Sequence, residues 1–160
     1  MIPVGEVLRL FVCAVHRLPM QEVETIRAIL GKGLEGCTHG RPGSKRQVLL
    51  MDIETLEQFG LAPGSVKENI TTQGLELASL RAGQRLRVGE ALLEVTVPCE
   101  PCGRMDEVRP GLQQELRGRR GMLCRVVGAG LICCGDRIEL VRSAEAESLG
   151  NRRGCGDAEK

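Results

Sequence analysis

Short apolar runs separated by glycines set the fold class of this 160-residue chain. In Arg85–Val88 apolar side chains alternate with arginines, which is the period-two pattern of a strand with Leu86 and Val88 on its buried face. Gly89-Glu90 then predicts a tight hairpin turn into the next run, Ala91–Val97. The spacing of all the apolar runs along the chain predicts a mainly β fold, antiparallel or barrel-like, with short helices. The other runs are Val4–Val15, Gln47–Leu50, Met122–Val127 and Leu131–Val141.

Two short helices are predicted between these strands. Asp52 can cap Ile53–Phe59, and Gly60 can end that helix in a left-handed conformation. Pro110–Gly118 begins with Pro and ends with Gly, the usual order at helix ends. Met20–Leu30 combines helical spacing of apolar residues with strand-forming residue types, and we favour a strand.

Length and composition fit one small domain. From Ser143 onward large apolar residues almost vanish, so we predict a domain over residues 1–142 and a flexible tail over 143–160. Lys and Arg number 22 against 21 Asp and Glu, and the chain has no Trp or Tyr. Nucleic-acid binding would therefore lack both a broad positive field and the main stacking side chains.

The chain has eight cysteines but no sequence pattern of a secreted or membrane protein. No signal-peptide pattern precedes the first apolar run, which Arg9 interrupts, and no apolar stretch approaches the roughly 18 residues of a membrane span. We therefore expect a cytoplasmic protein with reduced thiols and no membrane contact.

The sharpest chemical feature is Pro98–Arg104, which holds Cys99 and Cys102 in a Pro and Gly turn. A nearby cation such as Arg104 favours the thiolate, the form that bonds metals, attacks electrophilic sulfur or carries a persulfide. Cys99 is flanked by the negative charge of Glu100, which works against ionisation. We predict that Cys102 is the reactive sulfur and that Cys99 is a resolving or supporting thiol, with an inert loop pair as the alternative.

A structural zinc ion is the competing use of these two thiols. Zinc needs two more ligands, no second Cys-x-x-Cys follows, and the adjacent Cys133 and Cys134 would point to opposite faces of a strand. Cysteines in apolar runs are predicted to be core residues; these are Cys13, Cys124, Cys133 and Cys134. Cys37, in a glycine-flanked loop, and Cys155, in the tail, are predicted to be dispensable for folding.

His39 and several arginines are candidate ligands for an anion. His39 lies in a glycine-flanked loop, where it can be a ligand, an anion donor or a solvated side chain, and His16 is predicted at the surface. Arg46 and Arg104 stand out because both lie beside glycine-bearing turns. The wider set of loop and strand-end arginines is Arg46, Arg81, Arg85, Arg87, Arg104, Arg119, Arg120 and Arg125.

Taken in order, these motifs resemble the MOSC domain family, named for the C-terminal domain of molybdenum cofactor sulfurase. The resemblance covers about residues 4–141. It is carried by Gly33-Leu34-Glu35-Gly36 with His39, Arg46–Asp52, Gly64 with Glu68-Asn69-Ile70, Leu93-Glu94-Val95-Thr96, Pro101-Cys102 and Gly135-Asp136.

The resemblance implies a MOSC-type β-barrel that binds the molybdenum cofactor or carries activated sulfur. Family enzymes reduce N-hydroxylated compounds, and Cys102 corresponds to their molybdenum-ligating cysteine, so it is the implied catalytic and metal-binding residue. The predicted cofactor-binding residues are His39, Arg46, Asn69 and Arg104. We also predict that His39, Arg46, Asn69 and Cys102 line one cleft. A partner protein would supply electrons, or a cysteine desulfurase would supply sulfur, because the chain has no redox-cofactor or pyridoxal motif.

One departure from the family pattern bears on function. Where the family usually has Gly-Asp-x-His, this chain has Cys37 between Gly36 and His39. Either the ligand chemistry of this loop has changed, or the carboxylate was structural and the site survives. The rival hypotheses are a sulfur carrier without turnover and a β-barrel interaction module with idle thiols.

Overall fold

The computed structural model describes residues 2–142, and the predicted tail and Cys155 lie outside this range. Strands are the main regular secondary structure of the described chain, which confirms the predicted mainly β fold class. The strands are β1 (Ile2–Val12), β2 (Gln21–Val23), β3 (Thr25–Ile29), β4 (Gly33–Leu34), β5 (Val48–Asp52), β6 (Ile70–Gln73), β7 (Arg85–Val88), β8 (Ala91–Pro98), β9 (Met122–Gly128), β10 (Gly130–Cys133) and β11 (Arg137–Val141).

Seven strands close into a barrel in the order β11-β7-β8-β9-β5-β6-β1, with β1 pairing back to β11. The pairs are antiparallel except β5 with β6. Strand β2 extends the barrel sheet beside β1, and β10, β3 and β4 form a separate small sheet. The predicted hairpin is present, because Val88 pairs with Ala91 across Gly89-Glu90.

The barrel interior is aliphatic, as a chain with two Phe and no Trp or Tyr requires. Leu86 and Val88 are fully buried in it, so the predicted alternation of β7 is confirmed. The same alternation along β5 sends Leu50 into the barrel and Leu49 to its outer surface. On the outer surface Leu49 packs with Leu123, Val97 and Cys99, which form a small second cluster.

Three short helices, α1 (Ile53–Gln58), α2 (Met105–Val108) and α3 (Leu112–Glu115), pack outside the barrel. The first matches its prediction, because Asp52 Oδ2 accepts a hydrogen bond from the backbone N of Thr55 at 3.1 Å. The helix predicted over Pro110–Gly118 is present only as the single turn α3. Helix α2 has no capping side chain, and its residues gave no sequence signal.

The prediction of one strand over Leu131–Val141 is wrong, because a turn divides it into β10 and β11. Gly135 adopts φ +91 there, and the Asp136 carboxylate accepts from the backbone N of Cys133 at 2.7 Å. As a result Cys134 is exposed and Cys133 only half-buried, so neither is the core residue predicted. The favoured strand within Met20–Leu30 is confirmed as β2 and β3.

Candidate functional site

A cavity of about 380 Å³ lies against the outer surface of the barrel, where Leu49 of β5 and Leu123 of β9 form its apolar floor. Its charged or titratable side chains are almost all basic, and no Asp or Glu of the described chain lines it. These basic side chains are His16, His39, Arg41, Arg46, Lys67 and Arg120. The cavity is therefore suited to an anion.

A second groove of about 780 Å³ is larger, but its charges are mixed. It runs along β1 and the residues after β6, and its charged residues are Glu6, Glu76 and Arg137. Neither sulfur of the Cys99 and Cys102 pair lines it. Chemistry rather than size therefore identifies the smaller, basic cavity as the candidate site.

A β-bulge near the end of β8 turns Cys99 toward the basic cavity. Val95 pairs with Cys124 and Pro98 with Met122, so β8 has one more residue than β9 across this step. An extra residue reverses the faces of the residues that follow it. Cys99 consequently packs with the outer cluster rather than the barrel interior, and its backbone N donates to Gly121 O at 3.0 Å.

The pairing of Cys99 with Gly121 places Arg120 beside this thiol. Gly121 has φ +109, and a Cβ there would overlap the carbonyl oxygen of Leu50, so glycine is required for β9 to begin this close to β5. The position of Arg120 is thus set by backbone that has little freedom to move.

Arg120 is a buried cation with unused hydrogen-bond donors. Its side chain is 6% exposed and Nη2 donates to the carbonyl oxygen of Val66, whereas Nε and Nη1 have no hydrogen-bond partner in the described part of the chain. Burial lowers the pKa of Arg120, while negative charge on Cys99, Glu68 and Cys102 opposes that shift. Buried polar groups are normally paired, so the unpaired N–H groups of this lining residue make Arg120 the leading candidate for contact with an anion.

Lys67 reaches the cavity from a strained turn. It adopts φ +66, a left-handed conformation that costs a non-glycine residue about 1–3 kcal/mol. The buried carboxylate of Glu68 holds this turn, because its Oε2 accepts from Gly64 N at 2.8 Å and Thr71 Oγ1 at 2.7 Å. Its other oxygen, Oε1, has no partner.

His39 is half-buried in the cavity wall among basic residues. Burial lowers the pKa of His39, and the positive charges of His16, Lys67, Arg104 and Arg120 lower it further. His39 is therefore held in its neutral form by its surroundings, and a bound anion would reverse that effect. Arg104, which is absent from the cavity lining, is near enough to act on this imidazole.

The side chain of Asn69 joins three parts of the chain behind the cavity. Its Oδ1 accepts from Leu49 N at 3.0 Å, and its Nδ2 donates to Phe11 O at 3.2 Å and to Cys37 Sγ at 3.3 Å. Both amide N–H groups are thus committed to the protein. Asn69 positions β1, β5 and the His39 loop, and its predicted cofactor contact stays a prediction.

Cys37 is buried although it lies in a glycine-flanked loop, and its predicted dispensability for folding stays a prediction. Cys37 is 5% exposed, and its sulfur accepts from Cys13 N at 3.4 Å as well as from Asn69. It does not line the cavity. A thiol at the position of the family's aspartate thus still serves as a buried acceptor, which supports the alternative that this position is structural.

The structure brings His39, Arg46 and Asn69 together at one cavity, with Cys99 as the lining thiol. Cys102 is exposed and is absent from the lining residues. Its effect on Arg120 nevertheless places it nearby. The roles assigned to Cys102, His39, Arg46, Asn69 and Arg104 stay predictions.

Sequence reasoning did not assign His16, Arg41, Gln47 or Lys67 to the site, and it named Arg120 only within a wider set of arginines. Gln47 is buried and anchors the loop before β5, because its Nε2 donates to Gly31 O at 2.8 Å and its Oε1 accepts from Val126 N at 2.9 Å. Arg120 stood among eight candidate arginines, and the Gly121 that follows it gave no signal of burial.

Residues 2–142 contain no cluster of three or more His, Cys, Asp or Glu able to hold a metal ion by themselves. The zinc alternative therefore has no preformed ligand set in this part of the chain. None of the helices there is long and apolar enough to cross a membrane.

Comparisons with known proteins agree with this architecture. A family model described as MOSC domain matches residues 13–139. The crystal structure of YuaD from Bacillus subtilis is 21% identical, with a TM-score of 0.75 over 85% of this chain and 94% of that one. YiiM from Escherichia coli is 23% identical, with a TM-score of 0.63 over 89% and 70%. YiiM from Geobacillus stearothermophilus is 16% identical, with a TM-score of 0.69 over 96% and 94%. No curated protein sequence matches the chain significantly.

Proposed function

The chain belongs to the MOSC domain family, and from this premise we propose that its basic cavity binds the phosphate-bearing pterin of the molybdenum cofactor. The observation that carries the proposal is Arg120, a buried guanidinium of the cavity lining whose Nε and Nη1 have no hydrogen-bond partner among residues 2–142. A buried guanidinium with unpaired N–H groups is costly, and hydrogen bonds from an anionic ligand would reduce that cost.

The residues of the cavity fit a phosphate group. The planar fork of Arg120 matches two oxygens of a phosphate, whereas Lys67 offers a point charge from its turn. Arg46 and Arg41 reach the cavity from the loop before β5. When bound, the cofactor supplies a redox-active molybdenum for the reduction of N-hydroxylated compounds, with electrons from a separate redox protein. A thiol of the Cys99 and Cys102 pair would serve as its sulfur ligand.

A second candidate function is sulfur transfer without turnover. The observation that favours it is the presence of one exposed thiol, Cys102, beside a second thiol, Cys99, that lines the cavity. A cysteine desulfurase would be the sulfur donor. The described cysteines are all free thiols, which fits the cytoplasmic location we propose.

The test is cofactor retention by protein expressed in a host that makes the molybdenum cofactor. Molybdenum per chain and fluorescence of the oxidised pterin are measured for the wild type and for Arg120→Gln. We expect near-stoichiometric content in the wild type and a loss of about tenfold to a hundredfold in the variant, as the removal of hydrogen bonds to a charged group predicts.

Two further variants make this test specific. Arg137→Gln removes an arginine that is 69% exposed and lies in the mixed-charge groove, so it should retain the wild-type content. Arg120→Lys should recover only part of the loss, because Lys lacks the planar fork. Full retention of pterin by folded Arg120→Gln would contradict the proposal, and cyanide-releasable sulfur without metal would favour the second function.

A further inference from the structure

Cys99 and Cys102 differ in access although two residues separate them. Cys99 is 8% exposed, lines the basic cavity and packs against Leu49 and Leu123. Cys102 is exposed in the loop before α2. Large donors can therefore reach Cys102, whereas Cys99 faces only what the cavity admits.

Both thiols surround the same buried guanidinium. The backbone pairing of Cys99 with Gly121 fixes the first thiol next to Arg120, and negative charge on either cysteine acts on Arg120. The Nε and Nη1 of Arg120 have no hydrogen-bond partner among residues 2–142. An anionic sulfur on either side would find an unused donor there.

We propose that the two cysteines form a sulfur relay, in which exposed Cys102 receives a sulfane sulfur from a protein persulfide and passes it to Cys99 in the cavity. This inference rests on the proposed function in one respect, because the cavity is taken as the place where the sulfur is used. It makes Cys99 the final sulfur acceptor, whereas the sequence predicted only a resolving or supporting thiol at this position.

The relay consists of two thiol exchanges that need no outside oxidant. The Cys102 thiolate attacks the terminal sulfur of the donor persulfide, so a bond from Cys102 Sγ to that sulfur forms and the donor leaves as a thiolate. The Cys99 thiol loses its proton to solvent and attacks the same terminal sulfur. The new bond joins it to Cys99 Sγ, and Cys102 leaves as a thiolate.

A competing attack on the inner sulfur of the Cys102 persulfide would release the sulfur instead of transferring it. If Cys99 attacked the inner sulfur, Cys102 Sγ itself, a disulfide would form and hydrosulfide would be lost. Transfer instead leaves a persulfide anion at Cys99, beside the unused donors of Arg120 and screened from bulk thiols by Leu49 and Leu123. Burial of the loaded site thus favours retention of sulfur over its release.

The experiment uses serum albumin persulfide as the donor, because a protein of this size cannot enter the cavity. Rapidly quenched samples are alkylated, and the sulfane sulfur is located by mass spectrometry. In the wild type we expect sulfur on Cys102 first and on Cys99 at equilibrium, and in Cys99→Ser it should remain on Cys102. Loading of Cys99 in Cys102→Ser should fall by about tenfold or more, because exchange depends on access to the attacking thiol.

Exposed Cys134 provides the matched control, because Cys134→Ser should leave the loading of the relay pair unchanged. Arg120→Gln should shift the equilibrium of sulfur back toward Cys102. The relay is wrong if wild-type sulfur stays on Cys102, if Cys102→Ser loads Cys99 at the wild-type rate, if neither thiol loads, or if a disulfide and free hydrosulfide form instead. Pterin content is measured separately, so failed cofactor binding with intact sulfur transfer would count against the proposed function alone.

Discussion

The barrel interior and the wall of the basic cavity both contain buried side chains, but they differ in whether neighbouring protein groups satisfy those side chains. In the interior, aliphatic residues such as Leu50, Leu86 and Leu93 are fully buried against one another. At the basic cavity, Arg120 in the wall and Glu68 behind Lys67 are buried with polar atoms that no group of residues 2–142 satisfies. Burial in the interior therefore stabilises the fold. The unpaired polar groups at the cavity instead destabilise the unliganded protein, and a bound ligand would remove part of that free-energy cost.

Between these extremes lies a third kind of buried residue, which is polar but fully engaged. Asn69 and Gln47 are each 1% exposed and use their amide groups to join separate segments. They border the cavity without leaving N–H groups free for a ligand. Residues that shape the site are thus distinct from residues that have free N–H groups for a ligand.

The largest effect should come from truncation of the barrel interior. Leu93→Ala removes a side chain that is 0% exposed and packs between β7 and β9. We expect the free energy of unfolding to fall by about 2–5 kcal/mol, from lost burial and the cavity left behind. Urea denaturation measures this loss, and Leu18→Ala, at an exposed position, should stay within about 0.5 kcal/mol. Only a small loss of unfolding free energy for Leu93→Ala would contradict the stabilising role of the barrel interior.

The next effect distinguishes a shaping residue from a binding residue. Asn69→Ala leaves the buried N–H of Leu49 without its acceptor and frees the carbonyl of Phe11. We expect a loss of about 1–3 kcal/mol in unfolding free energy, the cost of unsatisfied buried groups. Urea denaturation is compared with pterin content of the folded protein. Unchanged stability with abolished pterin binding would instead make Asn69 a ligand contact.

A smaller effect is expected at Cys37, which the sequence predicted to be dispensable for folding. Cys37→Ala removes a sulfur acceptor from two buried N–H groups, and we expect a cost of about 1 kcal/mol. Thermal and urea unfolding both report on it. Cys134→Ser, an exposed thiol, is the control and should change little. Equal effects at the two positions would show that the contacts of Cys37 carry no stability.

The smallest expected effect is a pH dependence of the unfolding free energy that arises from His39 in the cavity wall. The pKa of His39 is lowered from 6.5, so the unfolded chain binds a proton at a higher pH than the folded protein does. The contribution of His39 is fully present above pH 6.5 and is lost as the pH falls from there through its folded pKa. His39→Gln should remove this part of the profile of unfolding free energy against pH, and an unchanged profile would contradict it.

Much of the fold was predictable because its signals are local. The alternation in Arg85–Val88, the Gly89-Glu90 turn and the Asp52 cap each involve a few neighbouring residues, and all three are present. The prediction of one strand over Leu131–Val141 was wrong, because apolar residues continue on both sides of the turn that the Asp136 carboxylate stabilises. Of the site, His39, Arg46 and Asn69 were brought together as the family order implied, but neither Arg120 nor Lys67 was singled out.

By itself, the sequence determined a mainly β chain with an aliphatic interior, a pair of cysteines in one loop, and its family. Only the tertiary structure decided which cysteine enters the cavity, because one extra residue between Val95 and Pro98 reverses the facing of Cys99. It also decided that Arg120 is buried with unused donors and that Cys37 serves as an acceptor. These outcomes depend on strand register and on contacts between distant segments, which local residue patterns do not encode.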